Sequence, residues 1–290
     1  MSTVPLPRPA LAGAVVVGYD GRPPADAALA WAAGEASATR RPLVMVHVLT
    51  MTPMMAGPGL AGLATLTAPA VGDTVQRTTV QRAAAQVAER LPQLTVERLE
   101  VRGDPAVELA DLSRGAHVLV VGSRGTGIAR AVPSAQVGTR IVAQVTCPAV
   151  VVPTSHPGRI RRGVLAGISV RTSTPEVLDR AFSHADLHDL PLTVVHATQD
   201  TLRASDEDRR RWIGEAVSGH RARHPNVRVE IRLAAGRPAR TLLGLAERMD
   251  LVVVGQHAAG STNPLGHVRG SIVDRSPCPV MVVPPPTPGP

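Results

Sequence analysis

The chain of 290 residues has no lysine, two tryptophans, one tyrosine, one phenylalanine and two cysteines. Each shortage excludes something. A Walker A loop needs a lysine beside the phosphates, so that loop is ruled out. All 31 basic residues are arginine, against 23 acidic ones, which gives a formal net charge of +8 and a pI near 11.2. A nucleic-acid binder would also be basic, but it clusters its charge and supplies rings for stacking. Here aromatics are 1% and the arginines are scattered, so nucleic acid is not expected as a partner. The densest run, Asp208-Arg209-Arg210-Arg211, reads as a solvated helix face. Cys147 and Cys278 each precede a proline and an apolar run, and are expected to be buried reduced thiols rather than a disulfide.

Charge is missing altogether from 42–72. Pro53, Pro58 and Pro69 interrupt that stretch, which argues against a membrane span. It is expected to be a strand followed by a mobile, methionine-rich lid from Met51 to Val71 over a ligand site. The N-terminus lacks a charged segment followed by an apolar core, so it does not read as a secretory signal. A soluble, cytoplasmic protein without membrane contact is the expectation.

What the chain does have is an internal repeat. GAVVVGYDG (13–21) aligns with GVLAGISVR (163–171), and LVMVHV (43–48) with LTVVHA (192–197). LTVERLEVRGDPAVELADLSRGAHVLVVG (94–122) aligns with VRVEIRLAAGRPARTLLGLAERMDLVVVG (227–255), and CPAVVVP (147–153) with CPVMVVP (278–284). The offset is 149 residues from His47 to His196 and 133 from Gly103 to Gly236; the difference falls in the lid segment. Helical patterns at 25–40, 73–91, 175–189 and 204–224 alternate with runs that are apolar throughout. Such runs belong to parallel strands covered on both faces. The fold class is therefore α/β: two tandem doubly wound domains, each a five-stranded parallel sheet with helices on both faces. The expected divisions are a disordered tail at 1–12, a first domain at 13–153, a linker at 154–162, a second domain at 163–284 and a proline-rich tail at 285–290. The terminal runs 149–153 and 280–284 are short, apolar and end in proline. They are expected to pair with each other as an internal pseudo-dimer, the alternative being a homodimer through the same edges.

In a doubly wound sheet the ligand crevice opens at the carboxyl ends of the strands where the strand order reverses. The loops GYDG (18–21) and GSRGTG (122–127) should face each other there. Glycine suits an anion loop because a Cβ bars close approach of phosphate. A structural turn accounts for the same glycines.

The ordered set GYDG, LVMVHV, VRGDP, HVLVVGSRGTG and CPAVVVP, repeated once, resembles a tandem universal stress protein of the actinobacterial type. The resemblance implies a Rossmann-like, adenine nucleotide alpha-hydrolase-like fold and a stress-response factor that in many members holds ATP. It assigns adenosine contacts to Asp20, with Gly18 beside it, and to Val48. Phosphate contacts fall to Gly122, Arg124 and Gly125. ATP-binding members place Gly-Ser or Gly-Thr after nine residues that follow the second loop glycine; this chain has Ala135-Gln136 there, so Gln136, with Val137 beside it, stands at the last phosphate position. Gly138-Thr139 offers the dipeptide three residues late. In the second half Ser169 replaces the aspartate and Ala258 the second loop glycine, and only seven residues separate Ala258 from Gly266. The resemblance thus implies ATP in the first domain only and a degenerate second site. Two other readings stand beside it: a nucleotide-free interaction protein with an unknown regulatory partner, and a weak ATPase.

No catalytic constellation is marked, so an enzyme is not expected. His184 and His188 sit four apart on a predicted helix and share a face, as zinc ligands do. No third ligand is evident, and a solvated helix end is the expected reading. No metal is therefore assigned. His47 and His196 end buried strands at matched positions and are expected to serve the fold.

Overall fold

Because each strand is covered on both sides, alternate residues feed two separate cores. In the computed structural model, which describes residues 11–50, 71–123, 137–154, 163–169, 174–198, 205–256 and 265–286, β1 (Val15–Gly18) shows this directly. Val15 and Val17 enter one core, and Ala14 and Val16 the other. The first repeat continues through α1 (Pro23–Thr39), β2 (Leu43–Leu49), α2 (Val71–Arg90), β3 (Val96–Arg102), α3 (Pro105–Leu112), β4 (Val118–Ser123), α4 (Val137–Ile141) and β5 (Ala149–Pro153). The second runs β6 (Val164–Gly167), α5 (Thr174–Leu187), β7 (Leu192–Thr198), α6 (Asp206–Arg223), β8 (Val229–Ala235), α7 (Pro238–Ala246), β9 (Leu251–Gly255), α8 (Leu265–Arg275) and β10 (Val280–Val283).

The two expected five-stranded sheets are one ten-stranded sheet, ordered β3-β2-β1-β4-β5-β10-β9-β6-β7-β8. Every neighbouring pair is parallel except β5 with β10, which run antiparallel with Val151 opposite Val280 and Val150 opposite Met281. The seam covers each repeat's apolar edge with its counterpart, which removes the unpaired N–H and C=O groups an edge exposes. Leu11, expected within a disordered tail, is 3% exposed and packs into the core beneath α3. The lid segment 51–70 lies outside the described residues.

Local chemistry sets the helix ends in the same way in both repeats. α1 closes at Arg40 with φ 54° and returns the Arg41 N–H to Ala36 O at 2.9 Å. α5 closes at Asp189 with φ 50° and returns the Leu190 N–H to Ala185 O at 2.8 Å. This left-handed closure satisfies carbonyls the helix end leaves free. α1 buries small residues, Ala25, Ala28, Ala32 and Ala36, and therefore lies close to the sheet. α5 buries larger ones at its core face, including Leu178 and Phe182. The run at 208–211 is on α6, whose Ser205 and Asp208 form a reciprocal cap. Cys147 and Cys278 are buried and form no disulfide. Burial pushes the Cys147 thiol up to about 12, which keeps it protonated. No described helix is long and apolar enough to cross a membrane.

Candidate functional site

β1 and β4 are adjacent and parallel at the point where the strand order reverses. Their carboxyl ends open into a cavity of about 270 Å³. Its wall is built from separate elements: Gly18, Tyr19, Asp20 and Arg22 after β1, Val46 to Val48 on β2, and Val121 to Ser123 on β4. Pro24 and Ala25 of α1, Thr50 after β2, Gln76 of α2, Pro105 and Leu109 of α3, and Gly138 of α4 complete the first repeat's share. Val273 and Asp274 of α8 also line it, so the second repeat closes the first repeat's cavity. The volume is near the low end of small-molecule sites.

The sequence-assigned residues fall into three groups. Gly18, Asp20, Val48 and Gly122 meet at this cavity. Val137 opens α4, one residue before the cavity-lining Gly138. Arg124, Gly125 and Gln136 lie outside the described residues. Residues not anticipated from sequence are Arg22, Gln76, Val273 and Asp274, which carry no motif.

Asp20 is held by its own turn. The Arg22 N–H donates to its Oδ1 at 3.1 Å, and the Arg22 guanidinium sits 3.4 Å from its Oδ2, with both side chains about half exposed. Beside it the His47 Nδ1–H donates to the Tyr19 carbonyl at 3.0 Å, which fixes the tautomer and leaves Nε2 as an acceptor. That Nε2 is buried and has no hydrogen-bond partner among the described residues. The Tyr19 hydroxyl donates to Asp26 Oδ1 at 2.6 Å, and burial with that acidic partner pushes its ionisation well above the usual tyrosine range.

Gly122 has a packing reason to be glycine. A Cβ there would collide with the Pro24 carbonyl at the start of α1. Gly18 is similarly constrained, since a Cβ would come within 2.8 Å of Leu109 Cδ1. The α3 and α4 ends of the cleft are tied by Asp104. Its Oδ1 caps α3 by accepting from the Ala106 and Val107 amides, at 2.9 and 3.2 Å. Both its oxygens accept from Arg140 of α4 at 3.1 Å. The Arg140 guanidinium is the main reason this carboxyl is held below its usual range.

The sequence profile of the universal stress protein family matches residues 13–153 and again 161–284. The chain belongs to that family. A universal stress protein of Mycolicibacterium smegmatis is 30% identical over 291 residues, covering 93% of this chain and 97% of the relative. One from Mycobacterium tuberculosis is 28% identical over 287 residues, covering 92% and 96%. Among solved structures, a universal stress protein from Archaeoglobus fulgidus shares the fold at a TM-score of 0.72 and 16% identity, covering 95% of this chain and 97% of that one.

Within this tandem universal stress protein, the second repeat keeps the frame of the site and changes the groups that face it. A Cβ on Gly167 would come within 2.8 Å of Leu242 Cδ1, as one on Gly18 would of Leu109, and the His196 Nδ1–H donates to Ile168 O at 3.1 Å as His47 does to Tyr19. The expected fold role of both histidines is observed. At the aspartate's place, however, Ser169 offers its carbonyl to the Thr174 hydroxyl at 2.8 Å. Arg237 replaces Asp104 as the residue before the helix and makes no side-chain cap. His257 and Ala258 lie outside the described residues. One expectation is overturned: the helix end at His184 is not solvated. His184 is 8% exposed, and a third candidate ligand, Glu35 of the other repeat, lies against it.

Proposed function

We propose that this universal stress protein holds one adenine nucleotide, ATP, in the first-repeat cavity, and acts in the cytoplasm as a regulatory stress factor rather than an enzyme. The observation that carries the reading is convergence: Asp20, Val48 and Gly122, from three different strand ends, line one cavity at the switch point. The wall also fits a polar ligand. Asp20 is half exposed with acceptor capacity to spare, and the cavity-lining His47 carries a buried unpartnered nitrogen. Asp20 and the backbone at Val48 would hold the adenosine, and the backbone from Gly122 to Gly125 the phosphates. Arg22 lines the cavity where other nucleotide sites use lysine. In the second repeat, Ser169 in place of the aspartate and the missing helix cap favour loss of the site, so the stoichiometry should be one.

A nucleotide-free interaction protein is the second reading, and one observation favours it. The Pro24 carbonyl accounts for Gly122 without any phosphate. Calorimetric titration of the full chain with ATP separates the two. The expected result is one site per chain, weakened about tenfold or more by Asp20→Ala. Two equivalent sites, or no binding, would overturn the proposal.

A further inference from the structure

The seam between the repeats carries a cluster of metal-ligating side chains that the nucleotide reading does not use. Val150 and Met281 stand opposite each other in the antiparallel β5/β10 pair and hold the same place in their repeats, three residues after Cys147 and Cys278. The internal two-fold axis therefore passes between them. Both side chains enter the core on the α1 and α5 side of the sheet. On that side Glu35 of α1 and His184 of α5 are also counterparts, separated by the same 149 residues as His47 and His196. They meet, with Glu35 Oε2 3.3 Å from His184 Nδ1. A residue touches its own counterpart only near a two-fold axis, so the cluster belongs to the axis itself.

His188 supplies the third donor. Its N–H closes the last helical turn on His184 O at 3.2 Å, which puts the two imidazoles on one face with centroids 4.3 Å apart. Its Nε2–H also donates to Glu35 Oε2 at 3.3 Å. All three donor atoms lie within 4.8 Å of one another. Glu35 and His184 are each 8% exposed at the side chain, whereas His188 is 31% exposed and sits at the rim.

Two features argue for an ion rather than a simple hydrogen-bonded pair. His184 Nδ1 is buried and makes no hydrogen bond, although a carboxylate oxygen is 3.3 Å away. This nitrogen and the Glu35 oxygen are near but do not meet hydrogen-bond geometry, as happens when both face a common point. The two nitrogen–oxygen spacings, 3.3 Å each, also fit. Metal–ligand bonds of about 2.0–2.1 Å in a tetrahedron set donor atoms about 3.3 Å apart. The Trp31 ring stacks on His184, with centroids 6.0 Å apart and planes at 9°, and holds that imidazole in orientation.

We propose that Glu35, His184 and His188 bind one divalent first-row transition ion of the zinc class, which staples the two repeats together at their seam. Two imidazoles and a carboxylate without thiolate suit Zn²⁺ and its neighbours rather than Cu⁺ or Mg²⁺. Three protein ligands leave a fourth position for water, and the exposed His188 edge gives the ion a way in.

Titration of the metal-free full chain with Co²⁺, read by visible absorption, tests this. The expected result is one ion per chain with the intense d–d bands of a tetrahedral nitrogen–oxygen site, displaced by Zn²⁺. Zn²⁺ at about 100 times its Kd should raise Tm by roughly 5 °C. His188→Ala and Glu35→Gln should each weaken Co²⁺ binding by more than the roughly 10–100-fold that outer-shell changes cost. His224→Ala, which removes an imidazole paired with Asp186 instead, should leave affinity within about twofold. Glu35 is buried, so its variant is also checked for fold by circular dichroism; His188→Ala, at the rim, decides the matter if Glu35→Gln unfolds. Absence of the bands, or affinity unchanged in His188→Ala, or an equal loss in His224→Ala, would overturn the proposal.

Discussion

The first and second repeats share their frame down to single contacts and differ in what faces the cleft. In both, a Cβ on the glycine at the end of the first strand would come within 2.8 Å of a leucine Cδ1 on α3 or α7. In both, the second-strand histidine donates to the carbonyl that follows the first strand. The divergence is chemical. Asp20 becomes Ser169, and the Asp104 cap with its Arg140 pair becomes an uncapped Arg237. Contacts that a parallel sheet needs have been kept, because altering them costs stability in either half. Groups that face the cleft differ, and α8 of the second repeat walls the first repeat's cavity.

The largest effect should come from breaking the element both repeats share. Proline at Val151→Pro removes a donor from a strand paired on both sides, which should cost about 3 kcal/mol or more and lower Tm by about 6 °C or more in a thermal scan. An unchanged Tm would mean the halves do not depend on that pairing. Next, Gly18→Ala and Gly167→Ala should lose matched stability, about 1–3 kcal/mol each by urea unfolding. A large difference between them would show that the frames are not equivalent.

Acid should reveal an asymmetry. His117 of the first repeat holds the place of Asp250 in the second. Burial, with help from Arg41 and Arg180, pushes the His117 imidazole from its ordinary 6.5 down to about 4. The unfolded chain then takes up the proton first, so stability falls as pH drops from 6.5 towards 4. After discounting for half exposure, His117→Asn should remove a loss on the order of 1 kcal/mol across that window. Glu35 acts lower down. Its folded carboxyl stays ionised to about 2 against an ordinary 4.5, so its stabilisation is full above 4.5 and is lost as pH falls through about 2. The smallest change installs what the second repeat lacks: Arg237→Asp, ahead of Pro238, should create a helix cap and gain about 0.5–1 kcal/mol.

The sheet, its parallel halves and its seam were legible in the sequence because each rests on a local signal. Apolar runs covered on both faces mark parallel strands, and the short apolar 149–153 and 280–284 edges demand a partner. The four helices with stated patterns, α1, α2, α5 and α6, begin and end within two residues of them. Asp20, Val48 and Gly122, which the resemblance singles out, line one cavity. What escaped was set by tertiary approach. Gly122 reads as a phosphate glycine, yet its nearest constraint is the Pro24 carbonyl, which no spacing reveals. Glu35 looks like a solvated acid in an alanine-rich helix, 149 residues from His184. One signal was available: equal places in the two repeats, combined with a two-fold seam, predict that such residues meet.

Amide hydrogen exchange of the full chain with and without saturating ATP tests the asymmetry most directly, because it locates binding rather than counting it. The account predicts slowed exchange at 18–22, 46–50 and 121–123, with the counterparts at 167–169, 195–198 and 254–256 unchanged. Equal slowing in both sets, or slowing confined to the second, would contradict it.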